Sequence, residues 1–180
     1  IHADREDDKH VYFTDKTGIK RKIERQILRK SIYDARLKKY EHIEANSYII
    51  FPYINCEGKP QLIDISIMRS QFPKALEYLS AFRKELDKRN MPNRTEDTWY
   101  AYGRSQSLKR FISNEHLSWP VLSLESNYVY DDELVVFTGG GNGPFYGIEM
   151  KPDVSESIFY VQAVLNHWLM ELLVRETARR

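Results

Sequence analysis

One stretch, Trp99–Arg110 (WYAYGRSQSLKR), holds the residues best suited to chemistry. It combines three aromatic rings and three cations with a glycine and an amide. Guanidinium and amide groups can form paired hydrogen bonds with base edges or phosphates, and flat rings can stack on bases. The same rings are equally typical of a buried strand that ends at Gly103. The stretch therefore predicts either a nucleic-acid-binding element or a core strand.

The charges that could support such binding are concentrated in two segments. Residues 16–39 contain ten Lys and Arg against two acids, and residues 83–110 contain eight against four, although the net charge is only +1. The cluster Asp131–Glu133 and the acidic first residues balance them. Two basic segments in a nearly neutral protein favour a polyanionic partner over a membrane, while a solvated surface gives the same pattern.

Composition limits the class of protein. The chain has 180 residues, of which 42% are hydrophobic and 29% charged, and this is enough for a packed core. Its single cysteine, Cys56, excludes an internal disulfide framework and predicts a cytoplasmic location. No apolar run in the sequence has the length of a membrane span, so no membrane partner is expected.

The length predicts one domain over residues 1–180, with residues 1–45 as a basic, loosely packed lead-in and residues 46–180 as the core. The chain begins at Ile1 rather than at a methionine, so we expect it to be a fragment of a larger chain. Any chemistry that this segment lacks would then lie in the parent.

The first half of the chain contains candidate strands separated by turn residues. Val11–Thr14 predicts a short strand, and the apolar spacing over 23–33 predicts either an amphipathic basic helix or an extended basic segment. Tyr48–Tyr53 and Gln61–Ile65 predict a hairpin around the turn Asn55–Gly58.

The second half adds two helices to further strands. Pro73 and the apolar spacing after it predict an amphipathic helix over about 73–90, and Asp153 or Ser155 is expected to cap a C-terminal helix over about 155–176. Short apolar runs predict strands at 119–124, 128–130, 134–137 and 145–148. The expected fold class is α+β, with a mixed, mainly antiparallel β-sheet with hairpins.

The sequence lacks the residues that several catalytic mechanisms require. The glycine-rich loop Gly139–Gly143 is followed by Pro144 rather than by the Lys and Ser/Thr of a phosphate-binding loop. The five histidines show no metal-ligand spacing, so no metal site is expected from them. Ile50–Tyr53 lacks the polar residue and first proline of the Asn-Pro-Pro-Tyr motif that holds a flipped base. Since a glycine-rich loop for S-adenosylmethionine is also missing from the sequence, this segment is not expected to be an enzyme.

The main interpretation is that this segment binds nucleic acid and is not catalytic. Two alternatives to it stay open. Asp131 or Asp132, followed by Glu149 and Lys151, resembles the Asp…Glu-x-Lys set of metal-dependent nucleases. In that set the carboxylates hold a divalent cation and the lysine assists the attacking water. The other alternative is a protein-interaction domain that docks through its apolar C-terminal helix.

Several pieces of the sequence, in chain order, match one known family. They are Ile23–Arg29, Tyr48–Tyr53, Phe72–Leu79, Leu86, Trp99–Gln106, Gly139–Gly147 and Ala163–Asn166. Together they resemble the TaqI-like C-terminal specificity domain of adenine-specific DNA methyltransferases, which also occurs in fused type II restriction–modification enzymes. The resemblance covers nearly the whole chain, and Trp99–Gln106 is its most specific part.

This resemblance implies a target recognition domain that binds double-stranded DNA. Such a domain positions the recognition site for a methyltransferase domain upstream in the same parent chain. S-adenosylmethionine is then expected in that upstream domain, and no cofactor or metal is expected in this segment. The parent is expected to be a site-specific adenine methyltransferase, to which fused members add an endonuclease.

The predicted DNA contacts lie mainly in the two basic segments. Arg104 is expected to bind a guanine or a phosphate, and Gln106 is expected to bind an adenine. The other predicted contacts are Tyr102, Ser105, Lys109, Arg110, Lys20, Arg21, Lys22, Arg25 and Asn142. The lysines and the remaining arginines among them would contact phosphates.

The stretch Trp99–Gln106 is expected to position the domain rather than to read the variable bases. A motif shared by members that recognise different DNA sequences cannot distinguish those sequences. The readers are instead expected in loops, at 114–119, 125–130 or 142–146.

Overall fold

A computed structural model describes residues 1–33, 37–91, 94–103, 108, 115–120, 125–137 and 145–178. These residues form the predicted α+β fold, and most of the described strand pairs are antiparallel. The strands are β1 Arg5–Glu6, β2 His10–Thr14, β3 Lys20–Glu24, β4 Leu28–Ile32, β5 Ser47–Ile50, β6 Tyr53–Cys56, β7 Lys59–Leu62, β8 His116–Pro120, β9 Val129–Asp131, β10 Val136–Phe137 and β11 Phe145–Ile148. The helices are α1 Ile65–Gln71, α2 Pro73–Ala81, α3 Arg83–Leu86, α4 Ile158–Leu165 and α5 Trp168–Ala178. Within the described ranges, every helix is too short or too polar to cross a membrane.

The chain folds into two compact units. Unit 1 comprises Ile1–Lys30 and Ser47–Ser113, and unit 2 comprises Ser31–Asn46 and Asn114–Arg180. The polypeptide therefore passes between the units three times: within β4, just before β5 and just before β8. Each unit has its own buried core. The single domain expected over residues 1–180 is thus divided into two units in the structure.

Unit 1 begins with the antiparallel sheet β1-β2-β3. Residues in β2 and β3 alternate between core and solvent, and Val11, Phe13 and Ile23 are buried. Residues 23–32 form the end of β3, one 3-10 turn at Arg25–Ile27 and β4, so the extended alternative is confirmed and the amphipathic helix is wrong. Residues 1–30, expected as part of a loosely packed lead-in, instead contribute these side chains to the core of unit 1.

The hairpin predicted in unit 1 is formed by β6 and β7. The side-chain oxygen of Asn55 accepts the backbone N–H of Gly58 at 2.8 Å. Glu57 and Gly58 both have positive φ, 51° and 76°, as a tight two-residue hairpin turn requires. The strand expected over Tyr48–Tyr53 is instead divided into β5 and β6 at Pro52, because proline cannot donate to a strand ladder.

Helix α1 was missed by the sequence analysis. Residues up to Ile65 were expected to continue a strand, but the side chain of Asp64 accepts the backbone N–H of Ser66 at 2.7 Å and caps a helix. Met68 of this helix is fully buried and fixes it to the core of unit 1. The β-branched residues at this position favour a strand, so the local sequence pattern predicted the wrong element.

The amphipathic helix predicted from Pro73 is confirmed as α2 and α3, which are separated at Phe82. The carboxylate of Glu24 in β3 accepts the backbone N–H groups of Lys74 and Ala75, at 2.8 and 2.9 Å. These N–H groups have no partner within the helix, so the sheet itself caps α2. This contact fixes the position of the first basic segment relative to the helix.

Unit 2 is built on the antiparallel sheet β11-β8-β9. In addition, β10 pairs in parallel with Ser31 and Ile32 at the end of β4. These two segments lie about a hundred residues apart in the chain, so no local pattern predicts their pairing. The core of unit 2 contains Ile32, Leu37, Ile43, Val129 and Val135.

Buried amide side chains attach the C-terminal part of unit 2 to this sheet. Asn166 accepts the backbone N–H of Tyr128 at 2.9 Å and donates to its carbonyl at 2.8 Å. Gln162 donates to the same carbonyl at 3.1 Å. Both backbone groups of the residue before β9 are therefore satisfied by side chains.

The C-terminal helix predicted over about 155–176 is divided into α4 and α5. The side-chain oxygen of Ser157 caps α4 by accepting the backbone N–H of Phe159 at 3.2 Å. The cap expected at Asp153 or Ser155 is therefore wrong.

Candidate nucleic-acid interface

The first two rings of the stretch Trp99–Arg110 belong to the core of unit 1. Trp99 and Tyr100 are only 4% and 2% exposed, which confirms that their rings belong to the core, although the backbone forms turns rather than a strand. The hydroxyl of Tyr100 donates to the carbonyl of Ile63, and burial raises the pKa of Tyr100 to about 12. These two rings hold the start of the stretch and are not available to stack on bases.

Arginines of the second basic segment hold this stretch in place. The guanidinium carbon of Arg83 lies 4.4 Å from the centroid of the Trp99 ring. Arg89 donates from Nη2 to the Trp99 carbonyl at 2.8 Å. Arg83 also forms ion pairs with Asp87 and Glu96. Because these cations act inside unit 1, the charge of the second basic segment is not by itself a sign of polyanion binding.

Tyr102 is tied to two strands of unit 1. Its backbone N–H donates to the hydroxyl of Tyr53 at 2.8 Å, and its own hydroxyl donates to the carbonyl of Ile50 at 2.6 Å. The rings of Tyr102 and Tyr53 meet edge to face with centroids 5.2 Å apart, and burial raises the pKa of Tyr102. These contacts give Tyr102 a structural role, and its predicted contact with DNA stays a prediction.

Residues 104–107 lie between two anchors in one aromatic cluster. Leu108 is buried together with Phe51 and Tyr53, and Tyr102 packs against the same cluster. The chain on both sides of residues 104–107 is therefore fixed to this cluster. Six predicted contacts lie outside the described residues and stay predictions: Arg104, Ser105, Gln106, Lys109, Arg110 and Asn142.

The first basic segment presents cations on the solvent side of β3. Because Ile23 points into the core, the alternation of the strand places Lys20 and Lys22 on the opposite face, where both are exposed. Neither lysine forms an ion pair with any residue in the described ranges. The two predicted phosphate contacts Lys20 and Lys22 are therefore accessible to a ligand.

A ring lies beside these lysines in the sheet. The register pairs Tyr12 with Lys22 on one side and with Arg5 on the other. The guanidinium carbon of Arg5 lies 4.2 Å from the centroid of the Tyr12 ring. We call Arg5, Tyr12, Lys20 and Lys22 the basic sheet face.

The sequence analysis missed Arg5 and Tyr12. The alternation of buried Val11 and Phe13 around Tyr12 was the signal that could have found the ring. Two carboxylates also lie at this sheet and reduce its positive charge: Asp7 accepts the Tyr12 hydroxyl at 3.0 Å, and Asp4 accepts the hydroxyl of Thr14 at 2.9 Å.

Arg21 and Arg25 are the other two predicted DNA contacts in this segment that the structure describes. Both are paired with carboxylates within unit 1. Arg21 Nε lies 2.9 Å from an oxygen of Asp15, whose side chain is inaccessible to solvent. Hydrogen bonds from Thr17 and then Arg21 hold the pKa of Asp15 below its ordinary value. Arg25 Nη1 lies 2.7 Å from an oxygen of Glu6. These arginines fix the sheet, and a phosphate would have to compete with their carboxylate partners.

The two units carry opposite charge. Counted along the sequence, unit 1 has 20 Lys and Arg against 13 Asp and Glu, a net charge of +7. Unit 2 has 7 Lys and Arg against 13 Asp and Glu, a net charge of −6. The total of +1 therefore conceals one basic and one acidic unit, and a polyanion is attracted only to the first.

The carboxylates of the nuclease alternative do not form a metal site in the structure. Asp131 is 2% exposed, and its oxygens accept the backbone N–H groups of Glu133 and Val135 at 3.1 and 2.9 Å. His116 Nε2 lies 3.3 Å from the same carboxylate, and burial raises the pKa of Asp131. Across the described part of the chain, no group of three His, Cys, Asp or Glu side chains could hold a metal ion. The nuclease alternative is not favoured.

Comparison with known proteins gives one informative similarity. No protein-family model matches the chain. The chain is 26% identical over 180 residues to the type II restriction enzyme and methyltransferase RM.Eco57I of Escherichia coli. It is similar to part of a restriction–modification enzyme. The alignment covers 95% of this chain but 18% of that enzyme, so the chain spans less than a fifth of the length of this curated relative.

Proposed function

We propose that this chain is the target recognition domain of a restriction–modification protein. It binds duplex DNA and positions the recognition site for an adenine-specific methyltransferase domain elsewhere in a longer protein. The observation that carries this proposal is the similarity to RM.Eco57I, which extends over 95% of the chain. The TaqI-like order of sequence motifs supports a role in recognition rather than in methyl transfer.

The charge of unit 1 supports DNA as the ligand. Its net charge of +7 attracts the phosphate backbone. On the basic sheet face, Lys20 and Lys22 are exposed cations that can replace the counterions of two phosphates. Arg5 and Tyr12 add a guanidinium and a ring to the same face.

Arg104 and Gln106 are assigned contacts that position the duplex, and the reading of the variable bases is not assigned to them. Arg104 has the fork geometry that binds guanine, and Gln106 has the amide that pairs with adenine. On either side of these two residues in the sequence, half-buried Tyr102 and buried Leu108 pack in the same cluster.

The chemical step is assigned to the rest of the protein. S-adenosylmethionine would bind in the methyltransferase domain, and this chain would contribute duplex binding and registration of the site. The test is equilibrium binding of the 180-residue chain to fluorescently labelled duplex DNA over a range of salt concentrations. We expect the logarithm of the binding constant to fall linearly with the logarithm of salt concentration.

Selection from a pool of random duplexes then tests recognition, and we expect one short sequence to be enriched. A chain that binds no duplex at low salt would overturn the proposal. Binding without enrichment of any sequence would overturn the recognition role.

A further inference from the structure

The two C-terminal helices of unit 2 carry a large apolar surface that the described structure leaves exposed. Trp168, Tyr160 and Phe159 are 66%, 61% and 55% exposed. On α5, Trp168, Leu169, Leu172 and Leu173 lie on one face of the helix, and Val174 is exposed outside that face. We call the following residues the C-terminal apolar face: Phe159, Tyr160, Val164, Trp168, Leu169, Leu172 and Leu173.

Summed over both helices, the exposed apolar area is comparable with the largest apolar patches of monomeric proteins. A large aromatic side chain presents about 150–250 Å², so the three half-exposed rings alone expose roughly 300–400 Å². With the four aliphatic residues, the total is on the order of 700 Å², against about 300–600 Å² for the largest apolar patch of a typical monomer. It falls in the range of about 600–1,500 Å² that is typical of contacts between domains of one chain.

The charge of unit 2 decides which partner suits this face. With 13 acids and 7 basic residues, unit 2 repels the phosphates of DNA. A second copy of unit 2 would bring two units of net charge −6 together, which is also unfavourable. Beside this face on α5, Glu171 is paired with Arg175 at 2.7 Å, so these two charges offset each other. The suitable partner is a protein surface with an apolar centre and a rim of Lys and Arg.

We propose that the C-terminal apolar face docks on the methyltransferase domain of the same longer protein, at an apolar surface rimmed by Lys and Arg. This rests on the proposed function, in which a methyltransferase domain belongs to the same longer protein. The matched region is only 18% of RM.Eco57I, so most of that enzyme lies outside it and includes the part available for docking. Unit 1 would then hold the DNA while unit 2 holds the enzyme.

Hydrogen–deuterium exchange of the α5 amides tests this proposal directly. The measurement compares the 180-residue chain alone with the longer protein that contains it. We expect the amides of Trp168–Ala178 to exchange at least tenfold more slowly in the longer protein, because docking buries the helix.

Two matched variants sharpen the comparison. Leu172→Glu places a charge on the C-terminal apolar face and should abolish the extra protection in the longer protein. Val154→Glu places the same charge at a residue of unit 2 that is 40% exposed but outside α4 and α5, and it should leave the protection unchanged. Both original residues are exposed, so both variants should fold, which circular dichroism of the 180-residue chain would verify.

The outcomes separate this proposal from the proposed function. Equal exchange of α5 in the two proteins would overturn the docking proposal, even if the chain binds duplex DNA. A dimer of the 180-residue chain that protects α5 with rising concentration would also overturn it, in favour of a second copy as the occupant. Protection of α5 in the longer protein, lost in Leu172→Glu, would support docking even if the chain failed to bind DNA.

Discussion

Units 1 and 2 both combine small antiparallel sheets with helices, yet they treat charge and apolar surface in opposite ways. Unit 1 has a net charge of +7 and buries the rings of its most conspicuous stretch. Unit 2 has a net charge of −6 and leaves several large apolar residues of its last two helices in contact with solvent. The composition of the whole chain conceals this difference. It becomes visible only when charge and apolar exposure are counted separately for each unit.

Tryptophan shows the same difference at single residues. Trp99 in unit 1 is 4% exposed and is covered by the guanidinium of Arg83, whereas Trp168 in unit 2 is 66% exposed. The Trp99 ring, which lies near several cations in the sequence, therefore contacts Arg83 within the protein. The ring that is free to meet a partner lies in an acidic unit, where nucleic acid is repelled.

The largest expected effect is a difference in stability between alanine variants of these two tryptophans. Trp99→Ala should lower the free energy of unfolding of unit 1 by about 3–5 kcal/mol, because it empties a buried site. Trp168→Ala should change it by less than about 0.5 kcal/mol, as is usual for exposed positions. Urea denaturation followed by circular dichroism measures both, and equal losses would contradict the assignment of core and surface.

The second largest expected effect is a difference in how acid changes the stability of the two units. The pKa of Asp15 in unit 1 is lowered from 3.8, so its stabilising contribution is complete above 3.8 and is lost as the pH falls below that value. The pKa of Asp131 in unit 2 is raised from 3.8 by burial, so its ionisation costs stability as the pH rises above 3.8. Amide exchange between pH 5 and pH 3 should therefore show β2 and β3 losing protection relative to β8 and β9.

The control for this acid prediction is Asp15→Asn. This variant should be less stable at neutral pH and should lose the additional acid sensitivity of unit 1. An unchanged pH dependence in the variant would show that other carboxylates, and not Asp15, determine the response.

A smaller effect concerns DNA affinity. The double variant Lys20→Ala, Lys22→Ala should make the slope of log binding constant against log salt less steep by about 2 and weaken binding about tenfold at moderate salt. The matched double variant Lys38→Ala, Lys39→Ala removes two exposed lysines from unit 2 and should leave both quantities unchanged. Equal effects of the two pairs would mean that DNA binding is not confined to the basic unit.

The smallest expected effects are at the helix caps. Asp64→Ala in unit 1 and Ser157→Ala in unit 2 should each cost about 1 kcal/mol of stability. The cost should be greater at Asp64, whose bond to the Ser66 N–H is 2.7 Å, than at Ser157, whose bond to the Phe159 N–H is 3.2 Å. Thermal denaturation of the two variants measures this order, and a greater loss at Ser157 would reverse it.

Local signals predicted the fold where they were strong. Asn55 and Gly58 marked a hairpin turn, and Pro73 marked the start of a helix. The parallel pairing of β10 with β4 could not be predicted, because it joins residues far apart in the chain. Helix α1 was hidden because Ile65 and Ile67 have side chains that favour strands, and its burial against the core overrode that preference.

The candidate site was predictable in part for a similar reason. Exposure of Lys20 and Lys22 follows from alternation along one strand. The partner of Arg25 could not be predicted, because Glu6 reaches it from another strand of the folded sheet. Charge counts identify cations, but only the tertiary structure shows which of them are neutralised within the protein.

Since the polypeptide crosses between the two units within β4 and twice more, neither unit is a continuous piece of sequence. A protein engineer could not transplant the basic half into another scaffold with one cut and one join. The shortest continuous cassette that carries it intact, residues 1–113, also contains residues 31–46, which supply Ile32, Leu37 and Ile43 to the core of the acidic unit. Moving the basic unit as one piece of sequence would therefore also remove part of the acidic unit's core.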